Sequence, residues 1–463
     1  MLSKLLQKNK NLILICIPAI ITFFLVFIPT FKYSIPLDSE AFNHVIFSQF
    51  YVKNIVLPDS LLYSNKGDYS PLFNFLMFSV SNIFNLSPLE TIKFSQPIFA
   101  FLMILSFSFT ASRMYNEWAG FFTGIFSMFS VFFYKIMMAT PEIMILILIP
   151  LISYFYYIAV QKEDLKCALI SGLLLGMGFL IHAVSTGIIL MILTIFTAVL
   201  LTTRGQAKFK AYIILISVSL LMVTLWLVSV FIKGGLMLKI PVSNFMLINT
   251  HFQFLGALPL LFAFIGGFFL IKRREIKDIL ILVWICVIAI MSFIHFSLLP
   301  LETDYVLSLA IFPLMVMAGI GVQCIRIDNE KNFIYAIAIL ILILGTYQGF
   351  LMANSIQPQI SSAQIDVAQW FKNRGDKDVL LISDNSTIYP VVFHLSNQKV
   401  PEGPYYLKVS KLVNINKYLQ GKYNKTDIIN DNVRYMVMNK NVSSMPFSTM
   451  VYENSDFRIF ELG

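Results

Sequence analysis

The stretch PLFNFLMFSVSNIFNL, Pro71 to Leu86, decides how the rest of the chain is laid out. It is apolar enough to enter a bilayer. As a helix it reaches only about 24 Å, short of the roughly 30 Å of hydrocarbon that a span must cross. If it crosses, every later connection changes side. If it does not, the connections on the N-terminal side hold Lys4, Lys8, Lys10, Arg113, Lys162, Lys166, Arg204, Lys208, Lys210, Lys272, Arg273, Arg274, Lys277, Arg326 and Lys331. The opposite connections before the tail then hold only Lys32, Lys53, Lys66, Lys93, Lys135, Lys233 and Lys239. Basic residues concentrate on the cytoplasmic side of membrane proteins, so this second layout is expected, with Pro71–Leu86 a membrane-surface or re-entrant helix.

Composition agrees with many spans. Of 463 residues, 57% are hydrophobic and 13% charged, where a soluble domain carries about a quarter charged. Mean hydropathy is +0.76, more apolar surface than a soluble core could hide. The net charge of +9 lies in short clusters between apolar runs, which excludes a nucleic-acid-binding reading. Cys16, Cys167, Cys286 and Cys324 have no CxxC spacing and read as buried small side chains, not as a zinc site or disulfide framework. The first apolar run, after Lys4, Lys8 and Lys10, is long for a signal peptide and lacks a small-x-small cleavage site, so it reads as an uncleaved span.

The expected fold is therefore a polytopic α-helical membrane protein of about eleven spans, N-terminus inside and C-terminus outside. Spans are expected near 12–30, 92–112, 118–134, 143–160, 165–181, 184–201, 211–232, 254–271, 279–298, 305–325 and 333–352. Residues 1–355 would form this transmembrane domain, with a long first outer loop at 31–91, and residues 356–463 a small extracytoplasmic α/β domain. In the tail, Ser362–Arg374 reads as a helix with Ile365, Ala368, Trp370 and Phe371 available for burial. Val379–Ser383, Tyr435–Met438, Thr449–Tyr452 and Phe457–Phe460 read as strands. Asn-x-Ser/Thr sequons at Asn85, Asn385, Asn424 and Asn441 all fall outside in this layout. No internal repeat is visible.

Ionisable residues beside a membrane are costly to place, and those at helix ends are functional candidates. The first loop opens with Pro36-Leu37-Asp38-Ser39-Glu40-Ala41-Phe42-Asn43-His44. Glu142 follows Thr140-Pro141 at the mouth of the fourth span. His182 ends the fifth, His295 lies near the end of the ninth, and Glu302 and Asp304 precede the tenth. Carboxylates there can act as a general base or hold a divalent cation. Each also has a plainer role: Asp38 as a helix cap, Glu142 as a first-turn acid, the histidines as packed hydrogen-bonding residues, Glu302 and Asp304 as solvated loop charges.

The order of these features resembles the GT-C superfamily of membrane glycosyltransferases, which includes protein O-mannosyltransferases and the catalytic subunit of oligosaccharyltransferase. Leu37-Asp38-Ser39-Glu40 with His44 matches the acidic motif of the first outer loop. Asp68-Tyr69-Ser70-Pro71-Leu72-Phe73 and Asn85-Leu86-Ser87-Pro88 resemble the remainder of that loop. Thr140-Pro141-Glu142 falls where a second acidic motif is expected, and His182-Ala183-Val184-Ser185-Thr186 resembles a His-containing stretch of some members. The resemblance implies transfer of a sugar from a polyprenyl-phosphate-linked donor to a glycan, lipid or protein acceptor at the outer face. It implies Asp38 as acceptor-activating base or metal ligand, assisted by Glu40 and Glu142. Asp38 and Glu142 would hold any Mn²⁺ or Mg²⁺, and His44, His182, Lys233, Lys239 and Glu302 would bind substrate.

The chain departs from the pattern in places. It lacks the WWDxG acceptor motif of oligosaccharyltransferases, which argues against protein glycosylation of that kind. It has Asp304-Tyr305 where many relatives carry an arginine for the carrier phosphate, leaving Lys233 or Lys239 for that contact. The competing readings are a lipid or glycan transporter or flippase, and a non-catalytic membrane scaffold. The apolar character of the mid-span positions and the lack of inverted repeats count against transport.

Overall fold

The computed structural model describes residues 2–53, 70–204, 209–232, 254–293, 303–324, 331–376, 378–401 and 413–463. In chain order the helices are α1 (Leu2–Lys32), α2 (Glu40–Lys53), α3 (Leu72–Phe84), α4 (Pro88–Met114), α5 (Glu117–Phe126), α6 (Phe133–Ile136), α7 (Pro141–Lys162) and α8 (Leu165–Ile181). They continue as α9 (Ala183–Arg204), α10 (Phe209–Ile232), α11 (Ala257–Arg273), α12 (Ile276–Phe293), α13 (Thr303–Cys324) and α14 (Lys331–Ser355). The tail adds α15 (Ser362–Arg374), β1 (Leu380–Ser383), α16 (Ile388–Ser396), α17 (Ile415–Leu419), α18 (Lys425–Asp431), β2 (Val433–Asn439), β3 (Ser448–Glu453) and β4 (Phe457–Leu462). The chain packs as two compact units. Met1–Ser34, Lys93–Val228 and Ile240–Ile356 form the first; Ile35–Ile92, Ser229–Lys239 and Gln357–Gly463 form the second.

The first unit is a multi-pass membrane bundle. Among the described residues, six helices are long and apolar enough to cross a bilayer, within α1, α4, α7, α9, α13 and α14; α8 and part of α10 are shorter apolar helices. The span in α13 is 94% buried and forms the centre, whereas those in α1 and α14 are 39% and 33% buried and form the rim. Phe264, Phe268 and Leu221 stay exposed, as side chains facing lipid do. Against α13, α11 approaches so closely that a Cβ on Gly266 would overlap the carbonyl of Met317, and one on Gly321 would overlap that of Phe262. Glycine is required there because only its missing side chain lets the backbones touch.

The expected third span, 118–134, is not one helix. Asn116 caps α5, its side chain accepting from the Ala119 N–H at 3.0 Å, but the helix runs only ten residues, about 15 Å. A 3₁₀ turn, Ser127–Phe129, follows, and Ser130 is extended. The hydroxyls of Ser127 and Ser130 donate back to the carbonyls of Thr123 and Ser127 at 3.2 Å, offering the backbone an alternative to a continuing helix. Pro71–Leu86 does form a short helix, α3, of 13 residues, too short to cross alone.

In the second unit, a four-stranded sheet in the order β1-β2-β4-β3 pairs β1 with β2 in parallel and β4 with β2 and β3 antiparallel. From Tyr435 on, alternate residues of β2 face opposite sides: Tyr435 and Val437 enter one core, Met436 and Met438 the other, while Val433 joins the second core ahead of a register shift in the pairing with β1. Period-two burial on both faces requires cover on both. The first core is covered by α15, through Ala363, Val367, Ala368 and Phe371, and by α16, through Ile388, Val391 and Val392. Tyr418 of α17 and Ile428 of α18 cover the second. The first core also takes in Phe42 of α2, so the helix that follows the first acidic motif packs on the tail domain.

Candidate functional site

The second unit holds the first acidic motif. Leu37 is 1% exposed and Asp38 6%. Asp38 stands two residues before Glu40, the first residue of α2, and its Oδ1 accepts from the Glu40 N–H at 3.0 Å. This bond, the one a short acidic side chain makes readily two residues ahead, aims the carboxylate. Glu40 sits half-buried in the first turn, where a carboxylate suits the helix dipole.

His44 lies one turn on and is buried. Its Nδ1 is 3.1 Å from Asn74 Oδ1 of α3. An amide oxygen only accepts, so Nδ1 is the donor in this contact. Phe73 packs its ring against the imidazole edge-on at 4.9 Å, and Ser48 donates to the carbonyls of His44 and Asn74. The acidic motif, α2 and α3 thus form one hydrogen-bonded assembly.

Across the chain from α2, Gln359 holds the acidic motif. Its N–H donates to the Leu37 carbonyl at 2.9 Å, and its Oε1 accepts from the Ser39 N–H at 3.1 Å and the Ser39 hydroxyl at 2.8 Å.

The first unit holds the second acidic motif. Thr140 caps α7, its hydroxyl accepting from the Ile143 N–H at 3.3 Å, and Pro141 occupies the first helical position. Glu142 is therefore set in the first turn, and the Lys135 ammonium of α6 lies 3.7 Å from its Oε2. His182 occupies the junction between α8 and α9. Its N–H donates to the Gly178 carbonyl, ending α8, and its Nδ1 accepts from the Ser185 N–H at 3.3 Å, opening α9. The Lys135 charge reaches this imidazole. Lys135, Glu142 and His182 form one electrostatic group.

Lys233, Lys239 and Glu302 lie outside the described residues, as does Asp68. Among the described residues, no three His, Cys, Asp or Glu side chains converge to hold a metal ion. Asp38 and Glu142 belong to different units, and the charge of Glu142 is already met by an ammonium. Lys135, Asn74 and Gln359 were not among the sequence candidates. Asn74 carries a signal, a polar amide inside the apolar α3; Lys135 is one lysine in a connection, and Gln359 has no local signal.

Residues 68–232 match the dolichyl-phosphate-mannose–protein mannosyltransferase family model, a range that includes Lys135, Glu142 and His182 but not Asp38 or Glu40. No curated protein matches the chain by sequence. Among solved structures, the chain is similar to the oligosaccharyltransferase AglB of Archaeoglobus fulgidus in complex with an inhibitory peptide and a dolichol-phosphate. Identity is 13% and the TM-score 0.72 over 94% of this chain and 70% of that one. It is similar to ArnT of Cupriavidus metallidurans bound to undecaprenyl phosphate, at 12% identity and a TM-score of 0.65 over 98% of both chains. It also resembles the mycobacterial arabinofuranosyltransferase AftD, at 12% identity and a TM-score of 0.63 over 97% of this chain and 40% of that one. The fold is that of the GT-C membrane glycosyltransferases, as the motifs implied.

Proposed function

We propose that the chain transfers a sugar from a polyprenyl-phosphate-linked donor to a hydroxyl-bearing glycan, lipid or protein acceptor at the outer face of the membrane. Asp38 carries this reading: a buried carboxylate, aimed by the Glu40 amide at the start of α2, in the loop where the GT-C pattern expects an acid. In the proposed reaction Asp38 takes the proton of the acceptor hydroxyl as that oxygen bonds to the anomeric carbon of the sugar. The bond from that carbon to the phosphate oxygen breaks, and the polyprenyl phosphate leaves with the electron pair. Glu40 assists by its charge beside Asp38. Glu142, His182 and Lys135 supply a second polar group, in which the lysine is the described cation suited to a phosphate oxygen. His44 orders α2 against α3. Lys233, Lys239 and Glu302 remain proposed substrate contacts. The first loop and tail are placed outside, supported by the positive-inside pattern and the sequons.

Titrating purified protein in nanodiscs with a panel of polyprenyl-phosphate sugars, with and without Mn²⁺ or Mg²⁺, tests this. Wild type should transfer a radiolabelled sugar, and Asp38→Asn should fall by about 10²- to 10⁴-fold while remaining folded. Full turnover by Asp38→Asn would remove the base assignment. Uptake of labelled substrate into proteoliposomes without transfer would favour transport instead.

A further inference from the structure

We infer that Gln359 is a positioning residue that sets the aim of Asp38, an inference that rests on the proposed transfer reaction. Asp38 lies between two residues that Gln359 grips. The backbone N–H of Gln359 holds the Leu37 carbonyl at 2.9 Å, and its side-chain oxygen receives both hydrogen-bond donors of Ser39, at 3.1 and 2.8 Å. With the peptide groups on either side held, the freedom left to Asp38 is its side-chain torsions, and the Glu40 N–H at 3.0 Å fixes one oxygen.

The grip is anchored at both ends. Next to Gln359, Ile360 is 2% exposed and belongs to the tail core, and Ser361 then forms the capping box of α15 with Gln364. On the other strand of the grip, Leu37 is 1% exposed, and Phe42, four residues beyond Asp38, is 0% exposed in the same core. The acidic motif is therefore clamped to the tail domain, not suspended in a loop.

The chemistry explains why a glutamine serves. An amide oxygen has two lone pairs, and here both are used by one residue, Ser39. The glutamine side chain itself is exposed, so replacing it opens no cavity in the core. A glutamate at the same length keeps the accepting oxygen; a leucine keeps the bulk and loses it. A purely structural role predicts no such split. Catalysis is sensitive to this kind of support, because displacement of a catalytic group by about 1 Å can cost a hundredfold in rate.

The experiment uses full-length protein in nanodiscs, with Gln359→Leu, Gln359→Glu, Ser39→Ala and the double variant Ser39→Ala/Gln359→Leu. Transfer kinetics are read together with hydrogen exchange of the Ser39 and Glu40 amides and with melting. Gln359→Leu should lower kcat by about ten- to a hundredfold with KM unchanged within about twofold, exchange at Ser39 and Glu40 should quicken, and melting should hold. Gln359→Glu should restore slow exchange and most of kcat. Adding Gln359→Leu to Ser39→Ala should cost less than adding it to wild type, since the two share a bond. Wild-type kcat in Gln359→Leu, with active wild type alongside, would overturn the inference and leave the reaction standing. A glutamate variant as slow as leucine, with exchange equally quick, would also overturn it. An inert wild type across the donor panel would overturn the reaction and the positioning role together, and the exchange data would then report only on the hydrogen bonds.

Discussion

Replacing Phe42 by alanine separates a first loop that merely lies near the tail from one that is built into it. The ring is 0% exposed, belongs to the same buried cluster as Ile360, Val367, Ile388 and Val391, and meets the His394 ring edge-on at 6.0 Å. Truncating a fully buried phenylalanine costs about 3–5 kcal/mol, from lost apolar transfer plus the cavity left behind. Set against a domain stability of about 5–15 kcal/mol, this is a large share. For a unit of roughly 150–250 residues, about 4 kcal/mol corresponds to a fall in melting temperature of about 8–16 °C. The assay is hydrogen exchange across a urea titration in nanodiscs, followed at β2, which lies in the tail core far along the chain from residue 42. Protection of β2 should be lost at lower urea in Phe42→Ala, as it should in the control Val391→Ala. Protection of α13, in the membrane unit, should be unaffected. If β2 in Phe42→Ala melts with wild type while Val391→Ala is destabilised, α2 is not part of that core, and the clamp on Asp38 loses its anchor.

Other outcomes follow from the same geometry. His394 of α16 has a buried Nδ1, and burial pushes its imidazole down to about 4. The unfolded chain then binds the extra proton between about pH 6.5 and 4, so the tail should lose stability as pH falls through that window, and His394→Gln should flatten the slope seen in melting at pH 7 and 4.5. Gly321→Val should prevent the close approach of α11 and α13, and a monodisperse, wild-type-stable variant by size exclusion and melting would contradict that packing. Chelation by EDTA should leave transfer intact, because Lys135 meets the charge of Glu142; activity lost to EDTA and restored by Mn²⁺ would place a cation at the acidic motifs.

Much of the architecture follows from local chemistry alone. Long apolar runs select the bilayer as solvent wherever they occur in the chain, which is why the apolar helices α7, α9 and α14, and the shorter α8, fall where hydropathy puts them. The tail helix matches its expected range, Ser362–Arg374, because its start rests on a capping box within four residues of sequence. The four strands fall on the short runs expected of them, at Leu380–Ser383, Val433–Asn439, Ser448–Glu453 and Phe457–Leu462. The acids Asp38, Glu40 and Glu142 stood out by their cost beside a membrane, and their helix-start positions could be read from Asp38 as a cap and from Pro141.

What the sequence could not reveal depended on partners brought together by folding. The break in 118–134 is set by serine hydroxyls bonding to particular carbonyls and by the burial of α5, neither of which hydropathy measures. Lys135 gains meaning only from its place beside Glu142 and His182. Gln359 stands 320 residues from Ser39, and nothing in either neighbourhood announces the other. Composition determined that this chain would span a membrane, because transfer free energy adds up residue by residue. The joining of the acidic loop to the tail, and so the aim of Asp38, was decided by the tertiary structure, because contacts between distant segments exist only once the chain has closed on itself.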